Sequence, residues 1–418
     1  MSAPSKPDPA AHDGSPATDG NSAAPGPVSA GPTRKIPFHV PSIGAAEREA
    51  VAEVLDSGWL TTGQRTVAFE EAVRERLGCG HAVAVNSATA ALHLILEALG
   101  IHAGDEVIVP TYTFAACGET VRYLDARPRL ADVDPITLCA TAETIEAQLR
   151  PETRAIMVVH FAGLMADMEP ILELARGRNL PVIEDAAHAL PCSRDGHAAG
   201  TVGTAGALSF YATKTVTTGE GGMIVTDSEA IANRARSMRL HGLTRDAWKR
   251  YSGSGSWYYE IEDVGFKYNL TDLAAAIGLV QLDRAESMRA ERERVARRYE
   301  QAFAAAGLAD LVELPRMPRS NEIHAWHLFP IRLHLDRVKV SRAEAIDRLS
   351  EAGIGTSVHF IPLHLHPYYR RTYGYEPGDL PVANLQYERE ISLPIYPDLT
   401  DDDVDYVVER LAAILRGR

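Results

Sequence analysis

Two short stretches hold the residues best placed to do chemistry. One is Glu184-Asp185-Ala186-Ala187-His188. The other, about twenty-five residues further on, is Ser209-Phe210-Tyr211-Ala212-Thr213-Lys214, closed by Gly219-Glu220-Gly221-Gly222. Each follows an apolar run that reads as a buried strand, residues 180–183 before the first and 206–208 within the approach to the second. A carboxylate at one strand end and a lysine just past another is the layout that a pyridoxal phosphate (PLP) enzyme requires. The lysine would hold the cofactor as a Schiff base. The aspartate would face the pyridine nitrogen and keep it protonated, so that the ring accepts electrons.

Asp185 carries the sharper argument. Its predecessors are apolar and partly β-branched, and an unpaired carboxylate at such a strand end is costly. Opposite a protonated ring nitrogen it gains a charge-assisted hydrogen bond worth about 1.5–3 kcal/mol. Glu184 should point to the opposite face, because side chains alternate along a strand. His188 fits either a place beside the cofactor oxygen or a cap on the following segment. Lys214 stands among Thr213, Thr215, Thr217 and Thr218, too polar a stretch for a core strand. A lone loop lysine is ordinarily a solvated charge, but Ser209, able to bind a phosphate oxygen, and the partner Asp185 reverse that reading. Asn86-Ser87-Ala88-Thr89 makes a strand-to-helix turn of small and hydroxylated residues. Its first-turn N–H groups favour an anion, with Thr89 adding a hydroxyl, although a plain N-cap explains the same residues. Phe114 follows the next strand and suits either stacking on a pyridine ring or core packing.

The elements that must position these residues alternate between strand and helix. Helices are predicted over residues 44–57, 67–77, 89–99 and 142–149, and strands over 82–85, 106–109, 130–133 and 155–159. Short apolar strands separated by helices mean a mostly parallel sheet covered on both faces, with ligands outside the carboxyl ends of the strands. A long helix over residues 272–306 leads into a smaller C-terminal α+β part. There strands are predicted at 327–335 and 355–360, and helices at 342–352 and 401–415. The resulting division is a tail (1–33), a cofactor-binding large domain (34–285) and a small domain (286–418).

The chain has 418 residues, 45% of them hydrophobic, and a net charge of −14. Residues 1–33 consist almost wholly of Pro, Ala, Gly, Ser and Asp and lack the apolar surface to offset ordering, so a disordered tail is expected. It has neither a basic start nor an apolar core, so it does not read as a signal peptide, and no later stretch reads as a membrane span. The acidic balance argues against nucleic acid as a main partner. Cys79, Cys117, Cys139 and Cys192 lie far apart without metal-ligand spacing, which points to reduced thiols, a cytoplasmic location and no metal site. Cys117 reads as a small buried apolar residue.

The motifs Asp185-Ala-Ala-His188, Ser209-Phe-Tyr-Ala-Thr-Lys214 and Gly219-Glu-Gly-Gly222 resemble the sugar aminotransferases of fold-type I PLP enzymes, the DegT–StrS family. Similar too are Ser57-Gly-Trp-Leu-Thr-Thr-Gly63, Leu240-His-Gly242, Gly265-Phe-Lys-Tyr-Asn-Leu-Thr-Asp272, His324-Ala-Trp-His-Leu-Phe329 and Ser392-Leu-Pro-Ile-Tyr-Pro397. Residues from about 36 onward take part. Several pieces, among them Ser87-Ala-Thr-Ala90 and Asp246-Ala-Trp248, most resemble the branch making UDP-4-amino-4-deoxy-L-arabinose. The sequence departs from it at Phe114, where those relatives carry tryptophan, and over residues 361–375.

The resemblance implies Lys214 as Schiff-base lysine, Asp185 on the ring nitrogen, Phe114 stacking and His188 near the 3-oxygen of the cofactor. It implies Ala88, Thr89 and Ser209 on the phosphate, with Asn269 reaching it from the other subunit of a homodimer. The implied reaction moves an amino group from L-glutamate to a keto-sugar nucleotide, at C4 of a 4-keto-6-deoxy or 4-keto pentose sugar. The rivals are a 3-keto-sugar or keto-cyclitol aminotransferase and a non-catalytic regulator of the same fold. Sugar dehydratases of this fold carry histidine at the lysine position, and Lys214 stands against that reading.

Overall fold

Seven strands form the central sheet of the computed structural model, which describes residues 34–243 and 259–417. The expected tail, the glycine/serine run at 252–256, Trp257-Tyr258 and the motif at 246–248 lie outside the described residues. The strands are β1 (His81–Val85), β2 (Glu106–Pro110), β3 (Arg127–Ala131), β4 (Thr153–Val159), β5 (Val182–Asp185), β6 (Ala205–Ser209) and β7 (Gly222–Thr226). Their order in space is β1-β7-β6-β5-β4-β2-β3. The pairs β2/β3, β2/β4, β4/β5 and β5/β6 are parallel, whereas β7 runs antiparallel to both β6 and β1. A parallel partner needs a long crossover, and residues 210–221 between β6 and β7 supply only a loop. The chain must therefore turn back, and that return carries Lys214.

Side chains alternate cleanly across the sheet. Ala82, Ala84, Ile108, Ile156 and Val158 enter one buried cluster, while Val83, Val85, Val107, Val109 and Met157 enter the other. Helices on each face cover them, including Ala88–Ala98 on the second. This is the α/β architecture that the strand and helix spacing predicts.

A third cluster gathers Ile36 with residues from 295 onward, around the three-stranded sheet of Val312–Glu313, Phe329–Leu333 and Glu390–Leu393. Helices Ala285–Ala305, Arg342–Glu351 and Asp401–Leu415 pack into it.

Three local expectations change. The single long helix over 272–306 is two helices, Asp272–Asp283 and Ala285–Ala305, parted at Arg284 (φ −91°, ψ −2°). There the Arg284 guanidinium is drawn to Glu47 Oε1 (2.5 Å) and Ser42 Oγ (2.9 Å). The strand expected at 355–360 is reduced to one bridge, Ser357 with Ser392. The strand expected at 130–133 ends earlier, at Ala131.

Candidate active site

The carboxyl ends of the parallel strands open onto a cavity of about 460 Å³ lined by Ala88, Thr89, Phe114, Asp185, His188, Ser209 and Lys214, among others. Seven of the eight residues singled out from the sequence thus meet at one place.

The wall at β1 is a helix start. Ser87 is extended (φ −166°, ψ 159°), and its hydroxyl accepts the N–H of Ala90 at 3.1 Å. Helix geometry leaves the N–H groups of Ala88 and Thr89 without intrahelical partners, and both residues line the cavity. The glycine cluster has a steric cause. A Cβ at Gly222 would lie 2.4 Å from the carbonyl carbon of Ser87, so only glycine lets β7 pass this turn.

Asp185 ends β5 and is buried, with Oδ1 accepting the N–H of Ala187 at 3.0 Å and Oδ2 facing Cys117 Sγ at 2.9 Å. Burial and then the adjacent carboxylate push the Cys117 thiol well above its ordinary value, so it remains a donor. Cys117 is buried as expected, but it is more than filler.

Glu184 points to the opposite face, as strand alternation requires. It accepts from His160 Nε2 (2.7 Å) and from the N–H groups of Gly200 (2.8 Å), Val202 (2.7 Å) and Gly203 (2.5 Å). The N–H of Ala166 donates to His160 Nδ1 at 3.2 Å, which assigns the ring proton to Nε2. Burial opposes ionisation of Glu184, but His160 and the backbone donors outweigh it and hold the carboxyl below its ordinary range.

Lys214 projects from a loop braced by its threonines, Thr217 Oγ1 donating to Phe210 O (3.0 Å) and Thr218 Oγ1 to Glu220 O (2.6 Å). Its amine lies 3.3 Å from His327 Nε2. Burial brings Lys214 down to about 8, Asp185 opposing and Arg292 assisting. The His188 and His327 rings lie 4.4 Å apart, and Nδ1 of each is buried without a partner among the described residues. Burial, then the charge of Lys214, depresses both imidazoles well below their ordinary value. Phe360 stacks on His188 at 5.8 Å and meets Phe114 at 6.0 Å. Phe114 itself is 61% exposed, a free aromatic face rather than a core residue.

Asn269 is the exception. Its amide donates to Thr62 Oγ1 at 2.7 Å and its oxygen accepts from Lys267 at 2.5 Å, and it is not among the residues lining this chain's cavity. His327, His359, Phe360 and Thr113, to which the sequence assigned no role, also line the cavity. His327 sits in the segment His324–Phe329 that resembles the family, and that was the available signal. No local pattern marks His327 or His359 as facing a lysine.

An enclosed lysine of lowered basicity, a buried carboxylate, a helix start with spare N–H groups and two orphaned imidazole nitrogens fit the amine-reactive aldehyde, ring nitrogen, phosphate and ring oxygen of PLP. The class that this fold and donor set define is the PLP-dependent aminotransferases. The chain belongs to the DegT/DnrJ/EryC1/StrS aminotransferase family, whose model matches residues 41–412. It is 45% identical over 384 residues to the spore coat polysaccharide biosynthesis protein SpsC of Bacillus subtilis, covering 91% of this chain and 97% of that one. Its structure is similar to the aminotransferase TlmJ from Streptoalloteichus hindustanus, with a TM-score of 0.84, 34% identity and coverage of 92% of this chain and 100% of that one. It is also similar to Helicobacter pylori PseC, an aminotransferase involved in pseudoaminic acid biosynthesis, with a TM-score of 0.84 and 26% identity over 92% of this chain and 100% of that one. The protein is therefore a PLP-dependent sugar aminotransferase. Among the described residues no helix is long and apolar enough to cross a membrane.

Proposed function

We propose that this enzyme moves an amino group from L-glutamate to C4 of a keto-sugar nucleotide, a 4-keto-6-deoxy or 4-keto pentose sugar. The observation that carries this reading is that Lys214 and Asp185 face one cavity in a chain of the sugar aminotransferase family. The involvement of SpsC in spore coat polysaccharide biosynthesis and of PseC in pseudoaminic acid biosynthesis supports a sugar acceptor.

Bound PLP supplies an electron sink for the carbon that exchanges its nitrogen. Lys214 is assigned the attachment of PLP and the movement of a proton at that carbon. Its depressed value of about 8 suits a base working near neutral pH. Asp185 is assigned the ring nitrogen, Phe114 the ring face and His188 the 3-oxygen. Ala88, Thr89 and Ser209 are assigned the phosphate. Asn269, bonded to Thr62 and not among the residues lining its own chain's cavity, is assigned the phosphate of the partner subunit's cofactor in a cytoplasmic homodimer.

The test is a panel of 4-keto, 3-keto and keto-cyclitol acceptors given to purified, PLP-loaded protein with glutamate, reading 2-oxoglutarate release. Acceptor-dependent release with a 4-keto sugar nucleotide is expected. Release only with a 3-keto sugar or a cyclitol would overturn the C4 assignment, and release with none would overturn the acceptor class.

A further inference from the structure

We propose that Glu390, Ser392 and His359 form a proton relay ending in the active-site cavity, in which the protonation of Glu390 sets the ring tautomer of His359. Its catalytic use rests on the function proposed above, because a ketone oxygen that leaves as water must be protonated.

The relay is built by one short pairing. Ser392 N donates to Ser357 O at 2.8 Å and Ser357 N to Ser392 O at 3.2 Å, which lays the following residues against strand Glu390–Leu393. His359 Nδ1 then lies 2.9 Å from Ser392 Oγ, and Ser392 Oγ lies 2.5 Å from Glu390 Oε1. The other carboxyl oxygen, Oε2, accepts the backbone N–H of His359 at 2.9 Å. Glu390 and Ser392 are fully buried, and His359 lines the cavity. The ring nitrogen left for the cavity is Nε2.

A hydroxyl has one proton to donate, so the chain of bonds has two directions. With Glu390 ionised, His359 Nδ1–H donates to Ser392, Ser392 donates to Glu390, and Nε2 is an acceptor. With Glu390 protonated, Glu390 donates to Ser392, Ser392 donates to Nδ1, and Nε2–H is a donor. A proton taken up at Nε2 sends the Nδ1 proton to Ser392 Oγ and the Ser392 proton to Glu390 Oε1. The reverse returns one proton to the cavity, and no bond between heavy atoms changes.

The surroundings place the switch near working pH. Burial raises Glu390 to about 8, against Ser392, the His359 N–H, Arg342 and Arg332. Arg332 faces it from the paired strand Phe329–Leu333, Arg342 from helix Arg342–Glu351, and Tyr112 from the end of β2. His359 is brought down to about 4 by burial and then by Lys214, so the stored proton rests on the carboxyl and not on the ring.

The test records ¹⁵N spectra of the histidine-labelled, PLP-loaded enzyme on both sides of the Glu390 titration, with His359→Gln assigning the signal. His359 is expected as Nε2–H below about 8 and as Nδ1–H above it. In Glu390→Gln the amide oxygen keeps the His359 backbone N–H and the NH₂ donates to Ser392, freezing Nε2–H at every pH. In Ser392→Ala the tautomer no longer follows Glu390, and this variant carries the test if the first fails to fold. In both variants kcat should fall on the order of 10²-fold with KM for glutamate unchanged. A tautomer in the unmodified enzyme that ignores pH, or one that still switches in Glu390→Gln, overturns the relay. The spectra need no sugar, so they are read independently of which acceptor the panel finds.

Discussion

Cys117 and Asp185 lie in contact beneath the cavity, Sγ to Oδ2 at 2.9 Å, and the same sulfur sits 3.1 Å from Thr113 Oγ1. The carboxylate is thereby held from the helix Ala116–Tyr123 on one side and from Ala187 N on the other. Cys117→Ser should keep this donor, whereas Cys117→Val removes it from a buried carboxylate. The valine variant should lose about 1–3 kcal/mol of stability relative to the serine variant. Denaturant unfolding of the two side by side measures the difference. Equal stabilities would show that the thiol only fills space.

Lys214 should attach PLP, so Lys214→Ala should lose all borohydride-trappable cofactor. Attachment requires the neutral amine, and burial brings Lys214 down from 10.5 to about 8. Below that value the amine is protonated and unreactive. Attachment of PLP to cofactor-free protein should therefore speed up as pH rises through about 8 and level off above it. Stopped-flow absorbance gives the profile, and a rise still climbing toward 10.5 would remove the argument from burial.

Asp185→Asn should leave the fold intact and lower turnover on the order of 10²–10³-fold, because a neutral amide cannot hold the ring nitrogen protonated. Steady-state kinetics beside a melting curve separate the two effects. Near-normal turnover would mean that another group faces the ring.

His160 and Glu184 form a fully buried pair at 2.7 Å behind the strand that carries Asp185. His160→Ala leaves a buried carboxylate short of one donor and should cost about 1–3 kcal/mol. Glu184 is held below its ordinary range in the folded chain, so its contribution is present above that range and disappears as pH falls through the folded value. Unfolding midpoints across acidic pH should show this loss in the unmodified protein and a smaller one in the variant.

The proposed sharing of sites between subunits makes a further prediction about assembly. Inactive Lys214→Ala and inactive Asn269→Ala, mixed under conditions of subunit exchange, should regain part of the activity. A heterodimer then contains one site with both residues intact. Mass-confirmed heterodimers without activity would place Asn269 in its own subunit's site.

Much of the site was legible because the motifs are local. Asp185 and Lys214 follow strands whose apolar runs are short and unambiguous, and in a parallel sheet strand ends share an edge by construction. The side that Glu184 faces followed from strand periodicity alone. What the sequence could not determine depends on residues far apart along the chain. The partner of Asp185 is a cysteine 68 positions away, and the neighbour of Lys214 is a histidine 113 positions away. No periodicity encodes such meetings, because packing of separate elements sets them. The broken helix at Arg284 belongs to the same class, since Ser42 and Glu47 lie at the other end of the sequence. So does the segment holding His359, where pairing with a single strand residue left too short a ladder to be a strand. The reacting groups and the strand ends that carry them are thus encoded locally along the chain. The charge and hydrogen-bond environment in which they work arises on folding, because burial and distant partners control it.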